Sequence, residues 1–214
     1  MSSNFVPALR FKALTRFYDP VVRLTTRERT VKSALIDYAG VPPGATVVDL
    51  GCGTGTLTIG LKRKYPSARV IGLDADPAIL EFAKAKADVA GIDVEFVECC
   101  ASDMPFASGS ADRFVSSLFF HHLQADIKKR VLSESFRILA ADGELHISDW
   151  GKPENVLMRL LFYPVQLLDG FSNTRENVQG LLPDLIMDAG AGNVAEMTSF
   201  STMFGSLRLL RASA

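Results

Sequence analysis

Short apolar runs alternate along this chain with longer stretches whose apolar residues recur every three or four positions. The first pattern suits strands covered on both faces, the second helices that bury one face. Strands are predicted over 46–50, 69–73, 94–98, 113–117 and 144–148, with helices between them over 56–64, 77–90 and 125–139. The 77–90 helix has Pro77 in its first turn, directly after Asp76, which favours a start there. Ile79, Phe82, Ala83 and Ala87 then share a face, and Gly91 is a natural stop. Another helix is predicted over 26–38, closed by Gly40 and the Pro42-Pro43-Gly44 turn.

Beyond the fifth strand the pattern changes. Residues 152–183 are rich in large apolar side chains and carry no strand signal. A helix over 174–189, interrupted or restarted near Pro183, precedes two strands over 194–200 and 206–210. Strands alternating with helices specify an α/β fold on a doubly wound, mostly parallel sheet. No repeat or linker divides it, so a single domain over 1–214 is expected. It would comprise N-terminal helices (1–40), a core (41–150), a small lid-like insert (about 152–183) and final strands (about 193–211).

Composition narrows the class without naming it. With 48% hydrophobic and 22% charged residues, 214 residues can bury a core that needs neither disulfide nor metal. The formal net charge of -1 supplies no general basic field, so no nucleic-acid partner is expected. Residues 10–29 are locally basic but include Asp19 and Glu28, which reads as a solvated face. Three cysteines, two of them adjacent at Cys99-Cys100, suit a reducing cytoplasm and buried small residues rather than a bridge or zinc. The first ten residues lack a signal-peptide pattern, and no apolar run is long enough for membrane insertion. Assembly, a homodimer included, stays open.

The chemistry is concentrated in Val47-Val48-Asp49-Leu50-Gly51-Cys52-Gly53-Thr54-Gly55-Thr56. A strand ending in an acid and then glycines at alternate positions marks a nucleotide-type turn, because glycine tolerates the backbone conformations and close approach it requires. The dinucleotide fingerprint needs its third glycine at position 56, which is Thr, so an NAD(P)-dependent oxidoreductase is disfavoured. No Gly-Lys-Ser/Thr follows, which excludes a P-loop. Asp74 ends the second strand 23 residues after Gly51, near the spacing at which an acid meets ribose hydroxyls, although an acid there could instead cap the next helix, as could Asp76.

The form Asp-x-Gly-x-Gly-x-Gly resembles motif I of the class I S-adenosylmethionine-dependent methyltransferases. Tyr18-Asp19 resembles a pair common in the ubiquinone/menaquinone-biosynthesis (UbiE-like) methyltransferase group. The resemblance implies a Rossmann-like seven-stranded sheet of order 3-2-1-4-5-7-6 with an antiparallel final strand. It implies S-adenosyl-L-methionine as methyl donor and S-adenosyl-L-homocysteine as product. It carries cofactor contact onto Tyr18, Asp49, Gly51, Cys52, Gly53, Thr54 and Gly55, with Asp74 and Ala75 at the ribose. Asp103 would meet the adenine amino group and Met104 pack on the ring, while Ser117 and Leu118 border the methionine part.

His121 and His122 follow the fourth strand and are the most reactive side chains near the expected methyl group, so they are the substrate-side catalytic candidates. His146, inside the fifth strand, reads as structural. No metal-ligand cluster is expected. The apolar 156–168 segment fits packing, a substrate lid or a lipid-surface contact. The expected function is methyl transfer to a small, hydrophobic or aromatic molecule; the alternative is a non-catalytic S-adenosylmethionine-binding partner subunit.

Overall fold

The structure is a computed structural model in which residues 27–214 are described. A helix α1 (Glu28–Ala39) leads into β1 (Thr46–Leu50), α2 (Thr56–Lys64), β2 (Arg69–Asp74), α3 (Pro77–Ala90) and β3 (Glu95–Glu98). Then come β4 (Ala111–Ser117), a 3-10 turn (Phe120–His122), α4 (Ala125–Ile138) and β5 (Leu139–Trp150). Four short helices follow: α5 (Val156–Leu161), α6 (Tyr163–Asp169), α7 (Arg175–Gln179) and α8 (Leu182–Asp188). The chain ends in β6 (Asn193–Thr202) and β7 (Gly205–Ser213).

The seven strands form one sheet in the order β3-β2-β1-β4-β5-β7-β6. Strands β1 to β5 pair in parallel, and β7 runs antiparallel to both β5 and β6. This is the expected Rossmann-like architecture. Its strand order reverses between β1 and β4, and that switch point opens a crevice at the strands' C-terminal ends. Parallel strands covered on both faces explain the apolar runs: Val47, Val48, Ile71, Leu73, Phe114 and Val115 are all fully buried. One core joins Val48, Leu50, Ile71 and Phe114 to α4 and α8, and a second joins Val47, Val70 and Val115 to α1 and α2.

Two expectations change and one is made specific. The inner face of α3 is Leu80, Ala83 and Ala87, whereas Phe82 is 57% exposed. Helical spacing of three and four places 80, 83 and 87 together and turns 82 outward. The restart expected near Pro183 is found: Gly180, at φ +76°, ends α7, and Pro183 sits in the first turn of α8. Strand β5 begins at Leu139 rather than near Glu144, because the register shifts between Ala111 and Arg113 of β4 and a bulge absorbs 140–143.

Candidate functional site

Strand β1 carries Asp49 to the crevice. Its Oδ2 accepts a 2.6 Å hydrogen bond from the Thr58 hydroxyl of α2, while Oδ1, also buried, has no partner. Burial lifts this carboxyl to about 6, with the Thr58 bond acting against it. The turn then takes Gly51, Gly53 and Gly55 through φ values of +66°, +53° and +73°, which glycine alone adopts without strain. A Cβ on Gly51 would meet Phe119 Cδ2 at 2.4 Å, so that turn also has no room for a side chain. Cys52 is buried in the turn, its thiol pushed strongly up by burial and by Asp49 and Asp74. Thr54 is half-buried, and Gly55 caps α2 so that Thr56 is already helical.

Asp74 closes the turn from the β2 side. Its Oδ2 accepts from Gly53 N at 2.9 Å and its Oδ1 from Asp76 N at 3.0 Å. Asp76 caps α3, accepting from Ala78 N at 2.9 Å. The two acids therefore divide the roles that the sequence left open: Asp76 starts the helix, and Asp74 is aimed back over the glycines. Burial raises the Asp74 pKa. Ala75 lies half-buried beside it. Past β3, Asp103 is exposed, whereas Met104 is a core residue at 3% exposure. Its backbone is held by Glu134 and Arg137 of α4, through Met104 N to Glu134 Oε1 at 3.0 Å and Arg137 to Met104 O at 3.3 Å. The expectation of two buried cysteines holds in neither case: Cys99 is half-buried and Cys100 exposed. Burial, the adjacent Cys100, Asp74 and Asp103 push the Cys99 thiol up to about 11, which leaves it unreactive.

At the end of β4, Ser117 lies one residue beyond the pairing of Leu50 with Ser116, next to Gly51. Its hydroxyl is buried without a partner. Leu118 is left-handed at φ +56°, a conformation rare for a branched residue and typical of functional turns. His121 is buried, with Nδ1 2.6 Å from Asp149 Oδ1, and Asp149 also accepts from Trp150 N at 2.7 Å. Asp169, at the end of α6, completes the group, with Oδ2 3.6 Å from His121 Nε2 and Oδ1 3.4 Å from His122 Nδ1. Burial alone would lower the His121 pKa, but Asp149 and Asp169 outweigh it and hold it above 6.5. Burial and the charge on His121 hold His122 below 6.5. The sequence led us to expect no metal-ligand cluster; among the described residues, His121, His122 and Asp169 offer ligand atoms within 4.8 Å of one another.

A sequence profile for a methyltransferase domain matches residues 47–143, which span the glycine turn, Asp74 and the His pair. The chain is 32% identical over 162 residues to the demethylmenaquinone methyltransferase of Thermus thermophilus, an alignment covering 76% of this chain and 70% of that protein. The chain belongs to the S-adenosylmethionine-dependent methyltransferases. It is also 32% identical over 128 residues to the ubiquinone/menaquinone biosynthesis C-methyltransferase UbiE of Klebsiella pneumoniae subsp. pneumoniae, covering 58% of this chain and 50% of that one. In fold it is similar to a SAM-dependent methyltransferase from Aquifex aeolicus, with a TM-score of 0.65, 18% identity, and coverage of 96% and 100% of the two chains.

The residues of this methyltransferase fit its cofactor. The crevice offers two buried oxygens without partners, Asp49 Oδ1 and Ser117 Oγ, and a carboxylate, Asp74, pre-aimed by two backbone donors. The methyltransferase brings the predicted residues of β1, β2 and β4 together around the glycine turn. Tyr18 lies outside the described residues. Asp149, Asp169 and Lys128 were missed by sequence reasoning. Lys128 of α4 is fully buried and donates to Asn173 O, Glu176 Oε2 and Asn177 Oδ1 at 2.5, 2.8 and 2.9 Å, while Asn177 donates to Trp150 O at 2.9 Å. Asp149 lies one residue past the predicted strand, and neither it, Lys128 nor Asp169 was marked by any local signal.

Proposed function

We propose that this methyltransferase acts on a small, apolar, aromatic acceptor of quinol or phenol type. The observation that carries the reading is the exposed apolar surface of α5 and α6, the second of which supplies Asp169 to the histidine pair. Helices α5 and α6 pack on Trp150 through Phe162, ring centroids 5.3 Å apart, and through Val165. Their opposite side leaves Val156, Leu157, Leu160, Leu167 and Leu168 exposed. An apolar surface on the helices that bring Asp169 to a polar histidine–carboxylate group suits an acceptor with an apolar body and a polar end. The name of the Thermus relative supports a quinone-type acceptor. No helix among the described residues is long and apolar enough to cross a membrane.

When bound, S-adenosylmethionine supplies a sulfonium methyl group for in-line displacement. The chain's own work is alignment. Asp74 accepts the ribose hydroxyls, Asp49 faces the positive end of the methionine part, and the glycine turn with Ser117 and Leu118 lies along it. Asp103 accepts from the adenine amine. The histidine pair faces the acceptor, and α5 and α6 exclude water from it. A labelled-methyl assay over quinols, phenols and polar amines tests this. Label in the quinols or phenols is expected; label confined to polar amines, or none in any acceptor, would contradict it.

A further inference from the structure

Only part of the histidine group is explained by hydrogen bonding. Asp149 accepts from His121 Nδ1 at 2.6 Å, which leaves Nε2 as the atom turned toward Asp169. The Asp169 contacts are of another kind: 3.6 Å to His121 Nε2 and 3.4 Å to His122 Nδ1 are longer than ordinary N–H···O bonds. The carboxylate presents one oxygen to each ring and has both as neighbours. Around a tetrahedral zinc with bonds of about 2.0–2.1 Å, ligand atoms lie about 3.4 Å apart. The two Asp169 contacts are near that spacing, and the ligand atoms of all three side chains lie within 4.8 Å of one another, within reach of one ion.

We propose that His121 Nε2, His122 Nδ1 and Asp169 form a binding site for a divalent transition-metal ion, zinc by preference. Two imidazoles and one carboxylate are a donor set for zinc and its neighbours in the first transition row, and not for calcium or magnesium. Asp149 stands where metal-binding histidines regularly have a carboxylate on the other ring nitrogen, fixing tautomer and ring orientation. The 3-10 turn at 120–122 presents both rings, 4.0 Å apart by centroid, and α6 brings Asp169 across from a segment 47 residues downstream of His122. Three protein ligands leave a fourth position open to an oxygen donor. On the acceptor proposed above, that donor is the reacting hydroxyl, whose proton an ion makes easier to lose. This use of the fourth position rests on the proposed acceptor class, whereas the binding of the ion does not.

The test is titration of untagged, metal-stripped protein with Co²⁺ and then Zn²⁺, read by visible absorption. One equivalent of Co²⁺ is expected to give the intense d–d bands of a tetrahedral site, which one equivalent of Zn²⁺ removes. His122→Ala and the near-isosteric Asp169→Asn, each checked for native circular dichroism, are expected to lose the bands, and His146→Gln to keep them. Asp149→Asn is expected to weaken Zn²⁺ binding about 10–100-fold. Weak bands like those of Co²⁺ in buffer would overturn the site, as would a thiolate charge-transfer band or bands that survive in Asp169→Asn. The readout needs no turnover, so its failure is distinct from failure of the acceptor assay.

Discussion

Asp49 and Asp74 show how much one side chain can carry and how differently each was legible. Both were marked by strand ends beside glycines. Which of Asp74 and Asp76 would cap α3 was not, because either spacing permits it; the Gly53 and Asp76 amides settle the matter by holding Asp74. Asp49 adds a titration. Its folded pKa of about 6 is above the ordinary 3.8 because burial disfavours its charge. A cationic ammonium needs the carboxylate form, so binding releases a proton wherever the free protein still carries it. Affinity for S-adenosylhomocysteine should therefore rise as pH increases through 6 and level off above, by up to about tenfold between pH 5 and 7. Asp49→Asn should flatten that profile; calorimetry across the range checks both. Asp169 was illegible by contrast, since nothing in local sequence relates it to residues so far upstream.

At the scale of elements, prediction succeeded where period and punctuation agreed. The bounds of β1, α2 and α3 are found as expected, because apolar runs or helical spacing end there at glycine, proline or a charged cluster. It failed where tertiary pairing overrules local signals. Ala140-Ala141-Asp142-Gly143 looks like a turn, yet pairing with β4 draws it into β5 as a bulge. The 152–183 segment had no period long enough to read, and it resolves into short helices fixed by buried polar bonds. Lys128 is the bolt: burial lowers its pKa and the bond to Glu176 opposes that. Lys128→Met should leave Glu176 and Asn177 without their donor. A loss of about 3 kcal/mol is expected, at the low end for a broken buried pair because Glu176 keeps some solvent. Thermal unfolding should then fall by about 6–12 °C. A shift under about 2 °C would show that α7 is held by apolar packing instead.

Over the whole molecule, the strand order came from family resemblance and not from local pattern, since no periodicity states which strands become neighbours. Once that order is set, the switch between β1 and β4 gathers Asp49, Asp74 and Ser117 at one edge, and β5 with α6 supplies the histidines' carboxylates. Cofactor and acceptor faces thus meet at the end of β4, where Leu118 is held left-handed. The claim on which the rest depends is that the glycine turn and Asp74 hold S-adenosylmethionine. Titration calorimetry of the wild-type protein and Asp74→Ala, with S-adenosylhomocysteine and with NADH, tests it most directly. S-adenosylhomocysteine should bind the wild type at one site, NADH should give no binding heat, and the variant should lose about 1.5–3 kcal/mol for a hydrogen bond to a charged acceptor. Binding of NADH without S-adenosylhomocysteine, or an unchanged affinity in Asp74→Ala, would contradict the account.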